Sequence, residues 1–384
     1  MNAGPNGALL LAAAHSHLDA SASVRLATLA AATRDWDRVR AAAGLHGVMP
    51  PLARALETWA HDAVPPEVLQ RLHDEALASG HRSLRLAGDL VTIIDRLGSA
   101  GIPVLAFKGP TLAVLAYGDL GLRPCRDLDL LVHGRSLPAA ERLVSALGYQ
   151  AAPSPFGLLT GLNQRTYTRN DGEIVELHWA MAPAEFPSPL DEDGLWARPE
   201  PVQLGTHTVY TLGVEDLALF LCAHGAKHLW ERLSWVCDIA ALLARRRDLD
   251  WDAVLTRARQ RGAERMVLLA LHLADDLLGA PVPEAAHERL RGDPAVRALG
   301  ERVRIRMFAG PHPPTVWERR AFYWRVRERW RDRLRDLARA VFTPTEGDWQ
   351  VVRFPNSLSS LYYLIRPLRL AAKYGARLLR SPAK

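Results

Sequence analysis

Two carboxylates lie two residues apart at the start of an apolar run, residues 127–132, whose sequence is DLDLLV. Side chains two apart in a β-strand point to the same side of the sheet, so Asp127 and Asp129 should project together. Adjacent carboxylates repel each other, and either a cation between them or a raised pKa relieves the repulsion. Mg²⁺, which prefers oxygen ligands, is the simplest such cation. The run therefore predicts a metal site on a strand, and the alternative is an exposed strand edge or a turn.

Basic residues and a glycine precede this strand. Residues 102–107 are predicted to form a short buried strand, and Lys108 and Gly109 follow it at a turn. A glycine lets the backbone approach a phosphate closely, and lysine or arginine side chains neutralise phosphate charge. Arg123 and Arg126 stand just before the Asp pair. The order of strand, glycine turn, helix and Asp-x-Asp strand suits a site for nucleotide phosphates and a metal ion.

This ordered set of residues resembles the polymerase-β-like nucleotidyltransferases, and in particular the branch described as uncharacterised nucleotidyltransferases. That branch has a Lys-Gly turn, a tyrosine on the following helix and arginines before the Asp pair. Each part has a separate mechanical task, so the set is more specific than a lone Asp-x-Asp. The matching residues here are Lys108, Gly109, Tyr117, Arg123, Arg126, Asp127 and Asp129.

The resemblance implies a reaction and its cofactors. A nucleoside monophosphate would move from a nucleoside triphosphate (NTP), such as ATP, to a hydroxyl or phosphate of an acceptor, and pyrophosphate would leave. Two Mg²⁺ ions, or Mn²⁺ in their place, would be held by Asp127 and Asp129. The residues that the resemblance assigns to the NTP are Lys108, Gly109, Arg123 and Arg126.

The residues alone leave alternatives for these basic groups. Lys108 could form an ion pair with an Asp and touch no phosphate. Arg126 is adjacent to Asp127, so in a regular strand it points to the opposite face, which favours a structural pairing. Tyr117 is interpreted as a packing residue.

A third carboxylate lies on a later predicted strand. Residues 163–170 and 172–180 predict an antiparallel hairpin around an Asn-Asp-Gly turn. Glu176 has apolar neighbours on both sides, and His178 shares its face of the strand. The resembling branch has an acid, usually Asp, followed by His-Trp at this point, which implies that Glu176 is the third metal ligand and a candidate general base. The alternatives are an ordinary acid on a half-exposed strand and a core histidine.

Residues 214–246 predict helices, and the resemblance places a His- and Lys-bearing helix and a following Asp near the cleft. We interpret the histidine, lysine and aspartate residues of these helices, together with His178, as the lining of an acceptor pocket. His224 and His228 are four apart and could instead share a metal ion. Asp238 has apolar neighbours in the sequence, and it could equally be a structural partner for a cation. The pocket residues on these helices are His224, Lys227, His228 and Asp238.

The 384 residues are enough for several packed units. Apolar positions recur at helical spacing on both sides of the strand-containing part, which predicts an α+β fold with a small mixed sheet. The predicted regions are an N-terminal helical region (1–100), a nucleotidyltransferase core (101–210), a helical substrate-side domain (211–300) and a basic, Arg/Trp-rich helical region (301–384).

The composition restricts the cellular setting. Three cysteines form neither a Cys-x-x-Cys pair nor an even set, which favours a reducing compartment and argues against a disulfide scaffold. No apolar run approaches the roughly 20 residues of a membrane-spanning helix. Residues 8–14, ALLLAAA, have no preceding Lys or Arg, so we interpret them as the start of a helix and not a signal-peptide core. These features predict a cytoplasmic protein.

The positive charge is concentrated at the C-terminal end. Residues 301–384 contain 19 Lys/Arg and 7 Asp/Glu, a net charge of +12, so residues 1–300 sum to −6. Residues 316–340 predict one Arg-rich helix whose aromatic residues pack on the body while its arginines reach water. The alternatives are an anionic partner, which includes a membrane surface, and nucleic acid, which the acidic remainder disfavours.

Three functional hypotheses follow. The first is the Mg²⁺-dependent nucleotidyltransferase. The second is a catalytically degenerate module that binds a nucleotide or a partner, which the replacement of the usual Gly-Ser by Gly109-Pro110 supports. The presence of all three acids argues against it. The third is an RNA-directed transferase, which the basic C-terminal region motivates.

Overall fold

A computed structural model describes residues 4–15, 20–152, 163–182, 186, 188–310, 312–344, 348, 351–352 and 360–378. The N-terminal helices are α1 (Gly4–Ala13), α2 (Ala20–Ala32), α3 (Trp36–His46), α4 (Met49–Trp59) and α5 (Pro66–Ser99). The sheet-containing part has β1 (Val104–Ala106), α6 (Gly109–Leu112), β2 (Asp127–Val132), α7 (Leu137–Ala146), β3 (Gln150–Ala151), β4 (Gln164–Thr168), β5 (Ile174–His178), α8 (Glu192–Leu195), β6 (Glu200–Leu204) and β7 (His207–Thr211). The later helices are α9 (Val214–Lys227), α10 (Leu233–Arg245), α11 (Trp251–Gln260), α12 (Glu264–Leu278), α13 (Glu284–Gly292), α14 (Pro294–Phe308), α15 (Val316–Val326), α16 (Trp330–Phe342) and α17 (Tyr362–Leu378).

A mixed five-stranded sheet carries the Asp-x-Asp strand in its interior. Its order is β1-β2-β5-β4-β3, with β2 parallel to β5 and the other neighbours antiparallel. The register pairs Asp129 with Glu176 and Leu128 with Val175. Leu128 and Val175 are both buried, so the apolar alternation fixes which side of the strands faces the core. The predicted α+β fold with a mixed sheet is confirmed.

Helix α5 supports this sheet from the N-terminal side. It is 34 residues long and begins with Pro66 in its first turn, where the missing N–H is not needed. Leu86, Leu90, Ile93 and Leu97 recur at helical spacing and are all buried. Buried apolar residues from the N-terminal helices to α15 form one continuous core. The division into four regions stays a prediction.

Three elements differ from the sequence prediction. A second antiparallel hairpin, β6–β7, was not predicted. The predicted helix over 316–340 is interrupted between Val326 and Trp330, because Arg327 is extended and buried and forms an ion pair with Asp336 of α16. Helix α17 continues through Pro367, although a proline inside a helix normally breaks or kinks it.

The aromatic residues of the C-terminal region do not pack as predicted. Phe322 is buried, but Trp317, Trp324 and Trp330 are 64%, 46% and 67% exposed. The expectation of an aromatic seam buried on the body is therefore wrong. Across the residues that the structure describes, we find no helix with the length and hydropathy needed to cross a bilayer.

Candidate active site

The parallel pairing of β2 and β5 gathers a carboxylate cluster. Asp129 Oδ1 lies 3.2 Å from His178 Nε2, and Glu176 Oε2 lies 3.5 Å from the same nitrogen. Ligand atoms of Asp129, Glu176 and His178 all lie within 4.8 Å of one another, a group that could hold a metal ion. The sequence predicted Asp127, Asp129 and Glu176 as the ligands. His178 takes the place of Asp127 in this tighter group, while Asp127 lines the adjacent cavity.

Lys108 is the cation nearest to these acids. Its Nζ lies 2.8 Å from Asp129 Oδ1, and only 17% of its side chain is exposed. Burial alone would lower the pKa of Lys108, but Asp129, Asp127 and Glu176 outweigh burial and raise it. Burial opposes ionisation of Asp129, yet Lys108 and His178 hold its pKa well below the usual range. Lys108 and Asp129 are therefore both charged, which agrees with the alternative that Lys108 forms an ion pair with an Asp.

The donor set suits a divalent cation. Asp129 Oδ2 is buried and has no hydrogen-bond partner among the described residues. A buried carboxylate oxygen without a partner is unfavourable, and a cation would satisfy it. Burial, and then the neighbouring Asp129, raise the pKa of Asp127, which added positive charge would reverse. Carboxylate and imidazole groups are both common ligands of divalent metals.

The Lys-Gly turn has a structural requirement for glycine. Gly109 has φ +59, and an added Cβ would lie 3.1 Å from the backbone oxygen of Asp127. The Thr111 hydroxyl donates to the Ala106 and Lys108 carbonyl oxygens at 2.9 and 2.8 Å, which holds the turn closed. Gly109 therefore lets the chain pass beside β2, and this is how Lys108 reaches Asp129. Its contact with phosphates stays a prediction.

A second buried charge cluster joins the sheet region to α10. Arg123 donates to Asp238 through Nε at 2.8 Å and Nη2 at 3.1 Å, and the Tyr117 hydroxyl donates to the same carboxylate at 2.8 Å. Asp238 is 1% exposed. Of the two alternatives for Asp238, the structural partner is thus observed, although Asp238 and Arg123 also line the cavity. The hydrogen bond from Tyr117 to Asp238 was not predicted. The tyrosine in the motif of the branch that the chain resembles was the signal that pointed to it.

Aromatic rings and two histidines form another wall. The ring centroids of His224 and His228 lie 4.7 Å apart, and Trp235 lies 5.4 and 5.2 Å from them. Phe220 packs at 5.5 Å from His224. Burial and nearby cations lower the pKa of both histidines, that of His228 to about 3, so both are neutral. No third His, Cys or carboxylate joins them in a metal-binding group within the part of the chain described.

Arg232 is a cavity residue that sequence reasoning did not assign. It lines the cavity together with Arg126, which is exposed and donates to the Gly44 carbonyl oxygen at 3.1 Å. Burial and then Arg126 lower the pKa of Arg232, and the neighbouring acids Asp127 and Glu231 offset this only in part. Arg232 lies between α9 and α10 and is not part of a motif, so nothing in the sequence indicated that it would line the cavity. The cavity lining thus includes two neighbouring guanidinium groups suited to an anion.

These groups surround one cavity of about 460 Å³. Asp129 is buried directly behind its wall. The predicted site residues that line it are Lys108, Gly109, Arg123, Arg126, Asp127, Glu176, His178, His224, Lys227, His228 and Asp238. The structure therefore brings the predicted residues together, and their individual roles stay predictions.

The family can be stated from comparison with known proteins. The model of the uncharacterised nucleotidyltransferase family matches residues 32–279, and the chain belongs to that family. Among solved structures, it is similar to an antigenic nucleotidyltransferase-like protein from Paracoccidioides brasiliensis at 15% identity. That match covers 54% of this chain and 94% of the other, with a TM-score of 0.28. No curated protein matches the chain significantly. The class of enzyme is therefore a nucleotidyltransferase.

The free energy of unfolding should depend on pH through His46, a buried residue that contacts the start of α10. Its Nδ1 accepts a hydrogen bond from the Leu233 backbone N–H at the start of α10, and burial and then Arg232 lower its pKa from 6.5 to about 4. The unfolded chain binds the proton more readily, so this contribution is complete above pH 6.5 and is lost as pH falls to about 4. We expect about 3 kcal/mol of the acid-induced loss of unfolding free energy to come from this residue.

Urea unfolding at pH 7 and pH 4 would measure this contribution. A His46→Asn variant, whose amide oxygen can accept the same bond, should lose less stability on acidification than the wild-type protein. His207→Asn, at an exposed position, serves as the control and should keep the full loss. Equal losses in His46→Asn and the wild type would contradict the prediction.

Proposed function

We propose that this chain transfers a nucleoside monophosphate from an NTP to a hydroxyl or phosphate of a small molecule, peptide or protein, in a Mg²⁺-dependent reaction that releases pyrophosphate. The observation that carries the proposal is the pairing of Asp129 with Glu176 on adjacent strands, while no residue that the structure describes bonds to Asp129 Oδ2. This group lies at the wall of a cavity that Arg126 and Arg232 also line.

Asp127, Asp129 and Glu176 would hold the metal, with His178 beside them. When bound, Mg²⁺ would stabilise the charge on the attacking and leaving oxygens. Glu176 would also take the proton of the acceptor. Its carboxylate accepts a hydrogen bond from Gln164 Nε2 at 2.6 Å, which fixes its orientation toward the cavity.

The basic residues divide between two tasks in this proposal. Arg126 and Arg232 would bind the triphosphate, because both guanidinium groups line the cavity and suit an anionic ligand. Lys108 would leave Asp129 for the phosphates once a metal takes over that carboxylate, with Gly109 beside it. Arg123, held by Asp238, would contribute its charge at longer range and keep the wall in position.

The acceptor would lie against the aromatic wall. His224 and His228 are neutral and present polar ring edges beside Phe220 and Trp235. Such a wall suits a group with a flat or apolar part, because stacking on rings needs no charge. Lys227 lies at the same side of the cavity and would suit an acceptor that also carries an anionic group.

The degenerate binding module is the second candidate. The Lys108–Asp129 pair favours it, because an ammonium 2.8 Å from the carboxylate already neutralises part of the charge that a metal would neutralise. Under this hypothesis the nucleotide or partner would bind without transfer.

Calorimetric titration of ATP, GTP, CTP and UTP, each with and without Mg²⁺, tests the proposal. We expect one NTP to bind in a metal-dependent manner, and an Asp127→Ala/Asp129→Ala variant to lose that binding. Arg232→Gln should weaken the same binding about tenfold, which is the usual size of one charge-assisted contact. Binding without metal dependence, together with no release of pyrophosphate on adding candidate acceptors, would favour the degenerate module. No binding of any NTP would contradict both nucleotide hypotheses.

A further inference from the structure

Helix α16 turns its apolar side chains to solvent. None of its residues is buried. Trp330, Leu334 and Leu337 follow one another at helical spacing on one side, and they are 67%, 49% and 48% exposed. A helix on the surface of a globular protein normally packs such a row against the core and exposes its charged side. The orientation of α16 is the reverse.

The acids of α16 lie on its inner side. Asp332 and Asp336 are half-buried, and Asp336 Oδ2 lies 3.0 Å from Nε of the buried Arg327. Arg331 and Arg335, in contrast, are exposed. The outward side of α16 therefore combines apolar side chains with cations, and both acids of the helix are withdrawn from it.

Helix α17 repeats this orientation next to α16. Leu364 and Leu368 are 65% and 70% exposed. Arg366 Nη1 and Arg369 Nε lie 3.0 and 2.5 Å from the carboxylate of the buried Asp348. Arg366 Nε also donates to the Ala340 carbonyl oxygen, which joins α17 to α16. Ion pairs thus hold the inner sides of both helices, and leucines remain outside.

We propose that this C-terminal apolar face, formed by Trp330, Leu334, Leu337, Leu364 and Leu368 with Arg331 and Arg335 beside it, docks on an anionic lipid surface. Amphipathic helices bind membranes by inserting apolar side chains at the boundary between headgroups and acyl chains, while cations contact acidic headgroups. Tryptophan is favoured at that boundary. The charge of the surrounding region, +12 over residues 301–384, is complementary to such a surface.

Charge and polarity favour lipid over the other occupants. A second copy bound by two-fold symmetry would bring the same face, with Arg331 and Arg335, against itself. Nucleic acid is bound chiefly by cations on phosphates, which leaves no use for a row of exposed leucines. This inference does not depend on the proposed transfer activity, because the face lies outside the cavity lining.

The test measures sedimentation of the full chain with vesicles of phosphatidylcholine alone or with about one third phosphatidylglycerol. We expect binding to the anionic vesicles. Arg331→Ala/Arg335→Ala should lower that partition coefficient about 30-fold, which corresponds to the loss of two cations at the surface. Leu364→Glu/Leu368→Glu should lower it at least about tenfold, since both the apolar contact and the charge balance change.

Leu84→Glu is the matched control, because Leu84 is 58% exposed but lies on α5. Its vesicle binding should equal that of the wild type. Circular dichroism establishes that each variant is folded. Absence of wild-type binding to anionic vesicles would overturn the proposal. The proposal would also be overturned by dimers in ultracentrifugation that only Leu364→Glu/Leu368→Glu abolishes. Binding to RNA without binding to vesicles would overturn it as well.

Discussion

An Asp129→Asn variant should bind Mn²⁺, used as a paramagnetic probe for Mg²⁺, more than about 100-fold more weakly than the wild-type protein. The buried Oδ2 of Asp129 has no hydrogen-bond partner in the described part of the chain, and ligand atoms of Asp129, Glu176 and His178 lie within 4.8 Å of one another. An amide has nearly the same shape as the carboxylate but carries no negative charge, so it attracts a divalent cation much more weakly. Electron paramagnetic resonance of free Mn²⁺ during titration measures the affinity.

Two controls separate metal binding from loss of the buried ion pair. Lys108→Met removes the other member of that pair and should keep or increase Mn²⁺ affinity, because the ammonium competes for Asp129. Asp216→Asn changes a buried acid that Arg198 and Arg257 hold away from the cavity, and it should bind Mn²⁺ normally. Normal binding by Asp129→Asn, or weak binding by Asp216→Asn, would show that the affinity does not reside in this cluster.

Replacing Asp238 by Ala should reduce the free energy of unfolding by about 3–5 kcal/mol. The carboxylate accepts two hydrogen bonds from Arg123 and one from Tyr117, and it is 1% exposed. Its removal leaves the guanidinium of Arg123 with a largely buried charge and no counter-ion, since only 13% of that side chain is exposed. Equilibrium unfolding in urea at neutral pH measures the loss.

Asp248→Ala supplies the matched comparison. Asp248 also accepts two bonds from an arginine, Arg246, but 66% of its side chain is exposed. Water and salt screen such pairs, so this variant should unfold at nearly the wild-type urea concentration. A similar loss in both variants would mean that burial of Asp238 adds nothing to the strength of its network.

The local elements of the site could be predicted because their signals are local. Strand β2 was predicted with its observed limits, and the hairpin of β4 and β5 within two residues, since alternation over a few residues and an Asn-Asp-Gly turn specify them. The common face of Glu176 and His178 follows from the two-residue period of a strand. That Asp129 lies beside Glu176 rests on the resemblance, because the sequence alone does not define the order of strands.

The remaining contacts depend on packing between distant segments. The bonds of Asp238 to Arg123 and Tyr117 join residues 115 and 121 positions apart, and His46 meets Leu233 across 187 positions. No local pattern encodes such pairs. The exposed tryptophans of the Arg-rich region, Trp317, Trp324 and Trp330, were predicted with the opposite orientation, because periodicity identifies the two sides of a helix but not which one meets the body.

The network around Asp238 also has a consequence for the order in which the protein acquires its shape. All strands of the central sheet are synthesised before residue 179, whereas the partner of Arg123 is added at position 238. During synthesis, a chain that has left the ribosome only as far as the sheet contains Arg123 but not Asp238, its ion-pair partner in the folded protein. Contacts of such long sequence separation form slowly, since the intervening chain must first be ordered. The cavity is thus completed late, and a bound nucleotide would stabilise only a chain that includes α10.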